Sequence, residues 1–414
     1  MMASLKQRFA PFWRNTAGNT AILFALAVVP IFLAVGASVD FARYYATQTQ
    51  LQAALDAGAL AGAAMLTGTD GERKATALAA FKSNLSGEAE GDATFTIVDG
   101  KFVAEASAEM NTSFMVLAGI NAMDLAASAE VGMASNKKAE VALVLDYSGS
   151  MGEVSGTKVK YIAMRNAAKA LVDDLSAANP DKVKFGLVPF SHHVYTTLPS
   201  AYVLGAAGAN WTGCTQDRQF PHNRKDNTPT AAAGSKWGQP MAPEHAAWGC
   251  AGYVSNNLVM KPLTDNFASL NSQLNAMKPY AWTHIALGVE FGYHLLSPNA
   301  PYSEGVSYSN TDTRKFMIVL TDGMQTEPAF GPGTTRTVAQ GESNLEDLCT
   351  NAKADGITII TLAFDLDDTT TRQRLKNCST NPATDFFVAT DDTDLMAAFE
   401  SIKLAISSEI FLSK

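Results

Sequence analysis

The chain has 414 residues, of which 47% are hydrophobic and 17% charged, so a packed core is feasible and wholesale disorder is excluded. Forty acidic residues against 31 basic ones give a net charge of −9, which argues against a nucleic-acid binder, since such proteins normally present a basic face. Four cysteines are too few for a disulfide scaffold, but their even number is compatible with pairing in an oxidising compartment.

An uncharged apolar run occupies residues 21–39, which is close to the ~20 residues that a helix needs to cross a bilayer. Three basic residues precede the run and one follows it before residue 71: Lys6, Arg8, Arg14 and Arg43. This bias predicts a cytoplasmic tail over residues 1–20, a membrane helix over 21–39 and an exported remainder. The alternative is a signal peptide cleaved near Val35-Gly36-Ala37, which would export the same remainder.

A helical pattern continues from residue 40 to about residue 66, with one apolar stripe at alternating spacings of three and four. The members of the stripe are Phe41, Tyr44, Gln48, Leu51, Leu55, Gly58, Gly62 and Met65. Such a stripe packs either on the chain's own domain or against a helix of another chain. The sequence leaves both interpretations open.

A small α+β module is predicted to follow a turn at residues 67–71 and to complete a first domain over residues 40–136. Its elements in chain order are a strand, a second strand, a short helix and a third strand, at residues 94–98, 101–110, 112–117 and 125–132. Asp99-Gly100 is a strong hairpin signal between the first two strands, and Gly119 stops the short helix. A polar linker is expected near Asn136.

Strands and helices alternate from residue 137 to residue 414, a pattern typical of a doubly wound, mostly parallel α/β sheet. The predicted strands are residues 141–145, 183–190, 316–320, 357–364 and 386–388, and the predicted helices are residues 158–178, 265–277, 283–296, 345–355 and 394–408. Residues 199–262 interrupt the alternation with many Gly, Pro, Asn and Trp residues. We interpret this stretch as an insertion over the edge of the sheet.

Polar residues follow two of the predicted strands directly. Asp146, Ser148 and Ser150 come after strand 141–145, and Asp322 comes after strand 316–320. Parallel strands end at the same edge of a sheet, where open α/β sheets bind their ligands, so these side chains can converge. They are hard oxygen ligands, suited to Mg²⁺, Mn²⁺ or Ca²⁺ and ill suited to zinc.

The D-x-S-x-S pattern at Asp146, Ser148 and Ser150 resembles the metal-ion-dependent adhesion site of von Willebrand factor A domains. The family's Thr matches Thr283 in AWTHIALG and its second Asp matches Asp322 in IVLTDG, although Trp282 stands where a Gly often precedes the Thr. The resemblance implies that the five residues hold a divalent cation. Mg²⁺ is the first choice, Ca²⁺ or Mn²⁺ the alternatives, and one coordination position stays open for a partner's carboxylate.

The N-terminal stretch GNTAILFALAVVPIFLAVGASVDFARYY and the following LQAALDAGALAGA resemble the TadE/TadG-like region of tight-adherence (Flp-type) pilus-assembly proteins. FGYHLLSP and DLMAAFESI, later in the chain, are also similar to the TadG pattern. The resemblance implies a single-pass protein of a bacterial inner membrane whose C-terminal domains are periplasmic or extracellular. No Glu follows Gly18 before the apolar run, so cleavage by a prepilin peptidase is not expected.

Outside the cytoplasm, pairing is the expected state of the cysteines. Of the three connectivities, we favour Cys349–Cys378 and Cys214–Cys250, because each of these pairs lies within one region of the chain. The alternative is a zinc site built from Cys214, His222, His245 and Cys250, but their spacings match no tight pair of zinc ligands.

An enzyme is not expected. Ser150 lies in G-S-M-G, which lacks the spacing of a nucleophile elbow, no phosphate-binding G-x-x-x-x-G-K-[ST] run occurs, and His284 is expected to be packed or solvated. The favoured function is a membrane-anchored pilus-assembly or envelope-scaffold protein. It would bind another assembly or envelope protein at the metal site, through a carboxylate of that partner. An adhesin using the same site is the alternative, and a metal-dependent hydrolase is a distant third.

Overall fold

The computed structural model describes residues 17–65, 68–85, 90–98, 100–133, 137–178, 180–204, 211–238, 250–333 and 335–411. These residues form two compact units, the first ending at residue 133 and the second beginning at residue 137. Some sequence expectations concern positions outside the described residues, namely the basic residues of the tail, Thr67, Asp99, Asn136 and His245.

The first unit begins with a single helix of 47 residues, α1 (Ala17–Ala63). The predicted membrane helix and the predicted stripe helix are therefore one continuous element, which passes through Pro30 without ending. From Ile22 onwards α1 is long and apolar enough to cross a membrane, judged by length and composition alone. Large apolar side chains are exposed along the predicted span, including Phe32, which is 71% exposed.

The second half of α1 packs on a three-stranded antiparallel sheet, β1-β2-β3. The strands are β1 (Glu90–Val98), β2 (Lys101–Asn111) and β3 (Ala122–Gly132). Leu51 and Leu55 of the stripe are buried in this core, and a Cβ atom at Gly62 would lie 2.6 Å from Cζ of Phe102. This part of the stripe therefore packs on the chain's own unit, which decides between the two interpretations that the sequence left open.

Helix α2 (Asp70–Asn84) is an element that the sequence analysis did not assign. It begins with a capping box, in which Glu72 N–H donates to the Thr69 hydroxyl and Thr69 N–H donates to the Glu72 carboxylate at 2.7 Å. The pattern T-x-x-E just before an Ala-rich stretch is the local signal that would have predicted this helix.

The second unit contains a six-stranded sheet with the order β10-β7-β4-β11-β14-β15. Its strands are β4 (Lys138–Asp146), β7 (Val183–Phe190), β10 (Lys261–Thr264), β11 (Thr313–Thr321), β14 (Ile357–Phe364) and β15 (Phe386–Ala389). Adjacent strands run parallel except β10, which pairs antiparallel with β7 at one edge. This confirms the predicted α/β class and adds an antiparallel edge strand to it.

The helices cover both faces of this sheet. They are α3 (Lys160–Ala178), α4 (Ala251–Ser255), α5 (Phe267–Ala276), α6 (Ile285–Leu296), α7 (Val338–Ala354), α8 (Thr369–Cys378) and α9 (Asp392–Phe411). In β4, Leu143 packs in the core with α3 and α9, whereas its neighbour Val144 packs in the core with α6 and α7. Strand residues alternate between two buried faces, which is why these strands are apolar throughout. α7 begins seven residues earlier than predicted, because Thr337 caps it by accepting from Gln340 N–H.

The predicted insertion contains more regular structure than its composition indicated. A hairpin of β8 (Val194–Leu198) and β9 (Trp211–Thr215) lies in and just before it, and it includes α4 and the edge strand β10. Trp237 is fully buried, and its ring stacks on Phe291 of α6 at 5.3 Å between ring centroids. Shorter paired segments complete the unit: β5 (Val154–Ser155), β6 (Lys158–Val159), β12 (Ala329–Phe330) and β13 (Arg336–Thr337).

Two disulfide bonds join Cys214 to Cys250 and Cys349 to Cys378, the pairing that the sequence analysis favoured. The zinc alternative is wrong in this structure, because both of its cysteines are oxidised and supply no thiolate. The first bond joins two described parts of the insertion, residues 211–238 and 250–262, and each bond is expected to stabilise the fold by about 3–4 kcal/mol.

We expect unreduced protein purified from the envelope to resist alkylation, because all four sulfur atoms are in disulfides. Mass spectrometry after iodoacetamide treatment should show no added mass without reductant and four additions after denaturation and reduction. Four reactive thiols in the unreduced protein would contradict both the pairing and the export that the sequence predicts.

Candidate metal centre

The candidate site is built on two neighbouring strands in the middle of the sheet. β4 and β11 run parallel with Leu145 opposite Leu320, so the residues that follow, Asp146 and Asp322, emerge at the same edge. The chain then turns sharply after β4 into a 3-10 turn at Gly149–Gly152, which brings the serine hydroxyls back over this edge.

Asp146 is completely buried at the end of β4. Its carboxylate accepts hydrogen bonds from Ser148 N–H at 2.7 Å and from the Thr321 hydroxyl at 2.6 Å. Burial and the repulsion of the nearby Asp322 carboxylate raise the pKa of Asp146 to about 7, against the lowering effect of these hydrogen bonds. Two acidic side chains are thus held together at a site where their negative charges repel.

The three predicted hydroxyl ligands lie beside these carboxylates. The Oγ atoms of Ser148 and Ser150 are 3.1 Å apart, and Ser150 donates to Oδ1 of Asp322 at 2.7 Å. Thr283 lies on another loop, close to Ser150. A Cβ atom built at Gly323 would lie 3.4 Å from Thr283 Oγ1 and 3.7 Å from Ser150 Oγ, so both hydroxyl groups lie beside Gly323. The structure therefore brings all five predicted residues to one place.

The loop that carries Thr283 is fixed to the Asp146 turn by backbone hydrogen bonds. Gly149 N–H donates to the Ala281 carbonyl and Tyr280 N–H donates to the Tyr147 carbonyl, both at 2.7 Å. Ala281 has a φ of +67°, a conformation that L residues rarely adopt, and the two bonds flank it. Trp282 follows with 46% of its surface exposed, so the bulky residue at the family's Gly position lies at the surface beside the site.

A cleft of about 690 Å³ opens over these residues. Its walls are contributed by three loops: Ser148, Gly149, Ser150, Gly152, Pro279, Tyr280, Ala281, Trp282, Thr283, Gly323, Met324 and Thr326. Trp282 and Met324, which are both about half exposed, give the rim an apolar character around a polar floor. The cleft therefore leads from solvent to the loops that carry the predicted hydroxyl ligands.

Lys160, at the start of α3, is a site residue that the sequence analysis missed. Its ammonium group lies 3.1 Å from Oδ2 of Asp322, 3.4 Å from Asp365 and 3.5 Å from Glu153. Burial lowers its pKa, but Asp322 and Asp365 outweigh this and raise the pKa above its usual value, so the lysine stays charged. No local motif marks it, because only the fold brings residues 160 and 322 together.

The donor set fits a hard divalent cation. Carboxylates and hydroxyls are ligands that Mg²⁺, Mn²⁺ and Ca²⁺ accept, and within the described ranges no cluster of three or more His, Cys, Asp or Glu side chains could hold a metal by itself. When both carboxylates are ionised, Asp146, Asp322 and Lys160 together carry one net negative charge. A divalent cation would therefore be attracted to this site.

His284 does not serve this cleft. It is buried at the start of α6, where its backbone N–H donates to the Ser191 carbonyl at 2.8 Å. Burial, together with Arg336 and His192, lowers its pKa to about 3, so the imidazole is neutral at physiological pH. Of the two roles expected for it, the packed one is correct.

Two family models match the chain. The Flp pilus-assembly TadE/G-like model matches residues 18–65, and the von Willebrand factor type A domain model matches residues 244–401. The second match includes Thr283 and Asp322 and starts after the Asp146–Ser150 turn. The chain thus combines a TadE/G-like N-terminal region with a von Willebrand factor A domain, as the sequence analysis predicted. No curated protein sequence matches the chain.

Several solved structures are similar in fold. The pilus adhesin SpaC from Lactobacillus rhamnosus GG is 15% identical, with 78% of this chain and 35% of SpaC covered and a TM-score of 0.42. This chain therefore spans about a third of that structure. The von Willebrand domain of the type V pili tip protein Mfa5 from Porphyromonas gingivalis is also 15% identical, with 66% and 97% covered and a TM-score of 0.42. The PilB minor pilin from Streptococcus sanguinis is 12% identical, with 78% and 79% covered and a TM-score of 0.41.

Proposed function

We propose that this chain is a membrane-anchored component of a Tad-type pilus or envelope assembly, and that its von Willebrand domain binds an acidic group of another assembly protein. The single observation that carries the proposal is the convergence of Asp146, Ser148, Ser150, Thr283 and Asp322 at one sheet edge in a chain that also has a TadE/G-like region.

These five residues would hold a divalent cation, which supplies attraction for a carboxylate oxygen of the partner. Asp146 is fixed by its two hydrogen bonds, and Lys160 neutralises part of the charge of Asp322. The remaining neutral hydroxyls bind an ion without cancelling its positive charge, so affinity for another acidic group remains. The apolar rim of the cleft would exclude water around that contact.

Three features support anchoring by residues 21–39 with the second unit outside the cytoplasm. α1 is apolar and exposed over this span, the basic residues lie on its N-terminal side, and the cysteines of the second unit are oxidised. The membrane that we propose for this anchor is the inner membrane of a bacterium. An intact chain is expected, so finding that the mature protein begins near Ser38 would contradict the anchor.

The function is tested by deleting the gene and restoring it with wild-type, Asp146→Ala or Asp365→Asn versions. We expect wild-type and Asp365→Asn chains to restore surface pili, counted by electron microscopy, and Asp146→Ala to fail at equal protein abundance. Restoration of normal pili by Asp146→Ala would refute the assembly role. If pili were normal and only adhesion were lost, the adhesin alternative would be supported instead.

A further inference from the structure

The connection between β2 and β3 presents an unusual surface at one end of the first unit. We define this connection, residues 112–121, as the apolar loop. Most of its large side chains are exposed: Phe114, Val116, Leu117 and Ile120, with Leu117 exposed over 78% of its surface. Exposed apolar side chains clustered on so few residues indicate contact with something other than water.

The apolar loop has a defined conformation. Residues Met115–Ala118 form a 3-10 turn, which Gly119 ends with a φ of +86°. The Thr112 hydroxyl donates to the Asn121 carbonyl at 3.2 Å, and Thr112 N–H donates to the same carbonyl at 3.0 Å. The base of the loop is therefore closed, and the side chains of its tip are held outward.

Asp40 of α1 fixes the loop to the helix. This buried carboxylate accepts three backbone hydrogen bonds, from the N–H groups of Ser113, Phe114 and Met115, at 2.7–2.9 Å. Burial alone would raise the pKa of Asp40, but these three bonds and Arg43 together lower it, so the carboxylate stays ionised. Arg43, one turn further along, lies 3.4 Å from Asp40 and also donates to the Ser113 hydroxyl.

The loop extends from this anchor toward the N-terminal half of α1. A Cβ atom at Gly36 would lie 2.5 Å from Cβ of Phe114, so only glycine permits this contact. Gly36 is four residues before Asp40, about 6 Å along the helix, and it lies inside the predicted membrane span of residues 21–39. Asp40 and Arg43 thus lie at the end of the span. Phe114 lies beside the apolar part of the span, because it contacts Gly36.

We propose that the apolar loop inserts into the outer boundary of the same bilayer that α1 crosses, so that the first unit sits directly on the membrane surface. The proposal rests on the membrane anchoring proposed above. We favour a lipid bilayer as the environment of the loop, because Phe114 of the loop lies beside the part of α1 that is predicted to be in the membrane. A depth of about 6 Å also agrees with the 5–10 Å to which interfacial elements are buried. Arg43 suits the adjoining headgroup region.

The test uses full-length protein in phosphatidylcholine proteoliposomes, with an environment-sensitive NBD label on single introduced cysteines. The native cysteines are paired and do not react. Leu117→Cys reports on the loop, and Phe32→Cys reports on the span. Val98→Cys is the matched control, since Val98 is a 52% exposed apolar residue in the hairpin at the opposite end of the same sheet.

At position 117 we expect blue-shifted emission and at least about twofold quenching by lipids with a nitroxide near the headgroup, and weaker quenching when the nitroxide is deeper. At position 98 we expect no quenching by either lipid. Quenching at position 32 but not at 117 would overturn the loop proposal while leaving the anchor intact. Absence of quenching at both positions would refute the anchor itself. Blue-shifted emission at 117 without lipid quenching would indicate a protein contact and would also overturn the proposal.

Discussion

Replacing Asp146 by alanine should weaken divalent-cation binding by at least about 100-fold while leaving the fold of the second unit intact. The expected loss follows from the role of the residue, because even supporting residues around a metal typically change affinity 10- to 100-fold. The fold should survive, because the carboxylate has a pKa raised by burial and by Asp322, so its removal relieves repulsion as well as deleting two hydrogen bonds.

Binding of Mg²⁺ and Mn²⁺ to the detergent-solubilised full chain can be measured by isothermal titration calorimetry, with thermal unfolding in the ion and in chelator as a second readout. Asp365→Asn is the matched control, since Asp365 also contacts Lys160 but follows the next strand and is not one of the proposed ligands. Equal binding by wild type and Asp146→Ala would refute the metal site, and equal losses in both variants would indicate unspecific attraction of cations to acidic groups.

Replacing Arg218 by methionine should destabilise the second unit by about 3–5 kcal/mol, because it leaves a buried carboxylate without its cation. Arg218 and Glu290 are both essentially inaccessible, and the Nε–Oε1 distance is 2.7 Å. The guanidinium also donates to the Asn227 carbonyl at 2.7 Å and lies over the Trp237 ring at 4.7 Å. This one side chain therefore holds the Trp-rich insertion to α6.

The stability that the Arg218→Met variant loses should increase with pH. Burial raises the pKa of Glu290 to about 7, and Arg218 limits that rise. A carboxyl group with a raised pKa binds its proton more tightly in the folded state than in the unfolded state. Its contribution to stability therefore falls as the pH increases above the unfolded pKa, and it becomes constant above the folded pKa. Without Arg218 the pKa of Glu290 in the folded state is higher still. The stability of the variant therefore continues to fall above about pH 7, where that of the wild type becomes constant, and the difference between the two grows.

Urea unfolding at pH 6 and pH 8.5, followed by tryptophan fluorescence, checks this, because Trp237 Nε1 donates to Glu290 at 3.1 Å and reports on the pair. Adding Glu290→Gln to Arg218→Met removes the unpaired acid and should recover part of the stability at pH 8.5 but little at pH 6. A deficit that is the same at both pH values, or no recovery in the double variant, would contradict a buried ion pair.

Local patterns in the sequence were sufficient to predict most elements of this fold. Strands 183–190 and 357–364 have the predicted bounds, because short, mostly apolar runs between polar turns have few alternatives. The turn after β4 was also predicted, whereas the predicted membrane helix and stripe helix are one element, Ala17–Ala63. The candidate metal ligands were predicted from motif and order along the chain, and the parallel arrangement of β4 and β11 explains why they meet.

Only the tertiary structure decided which distant groups share an environment. Lys160 lies 162 residues from Asp322 in sequence, and nothing near either residue signals their contact. The pairing of Arg218 with Glu290 and the docking of Asp40 under the apolar loop are likewise long-range contacts. Hydrophobic periodicity and helix capping depend on interactions between residues that are close in sequence. Buried charges are instead paired with groups on whichever elements the packed sheet brings together. The sequence by itself therefore determined the elements, and the packing decided their charge partners.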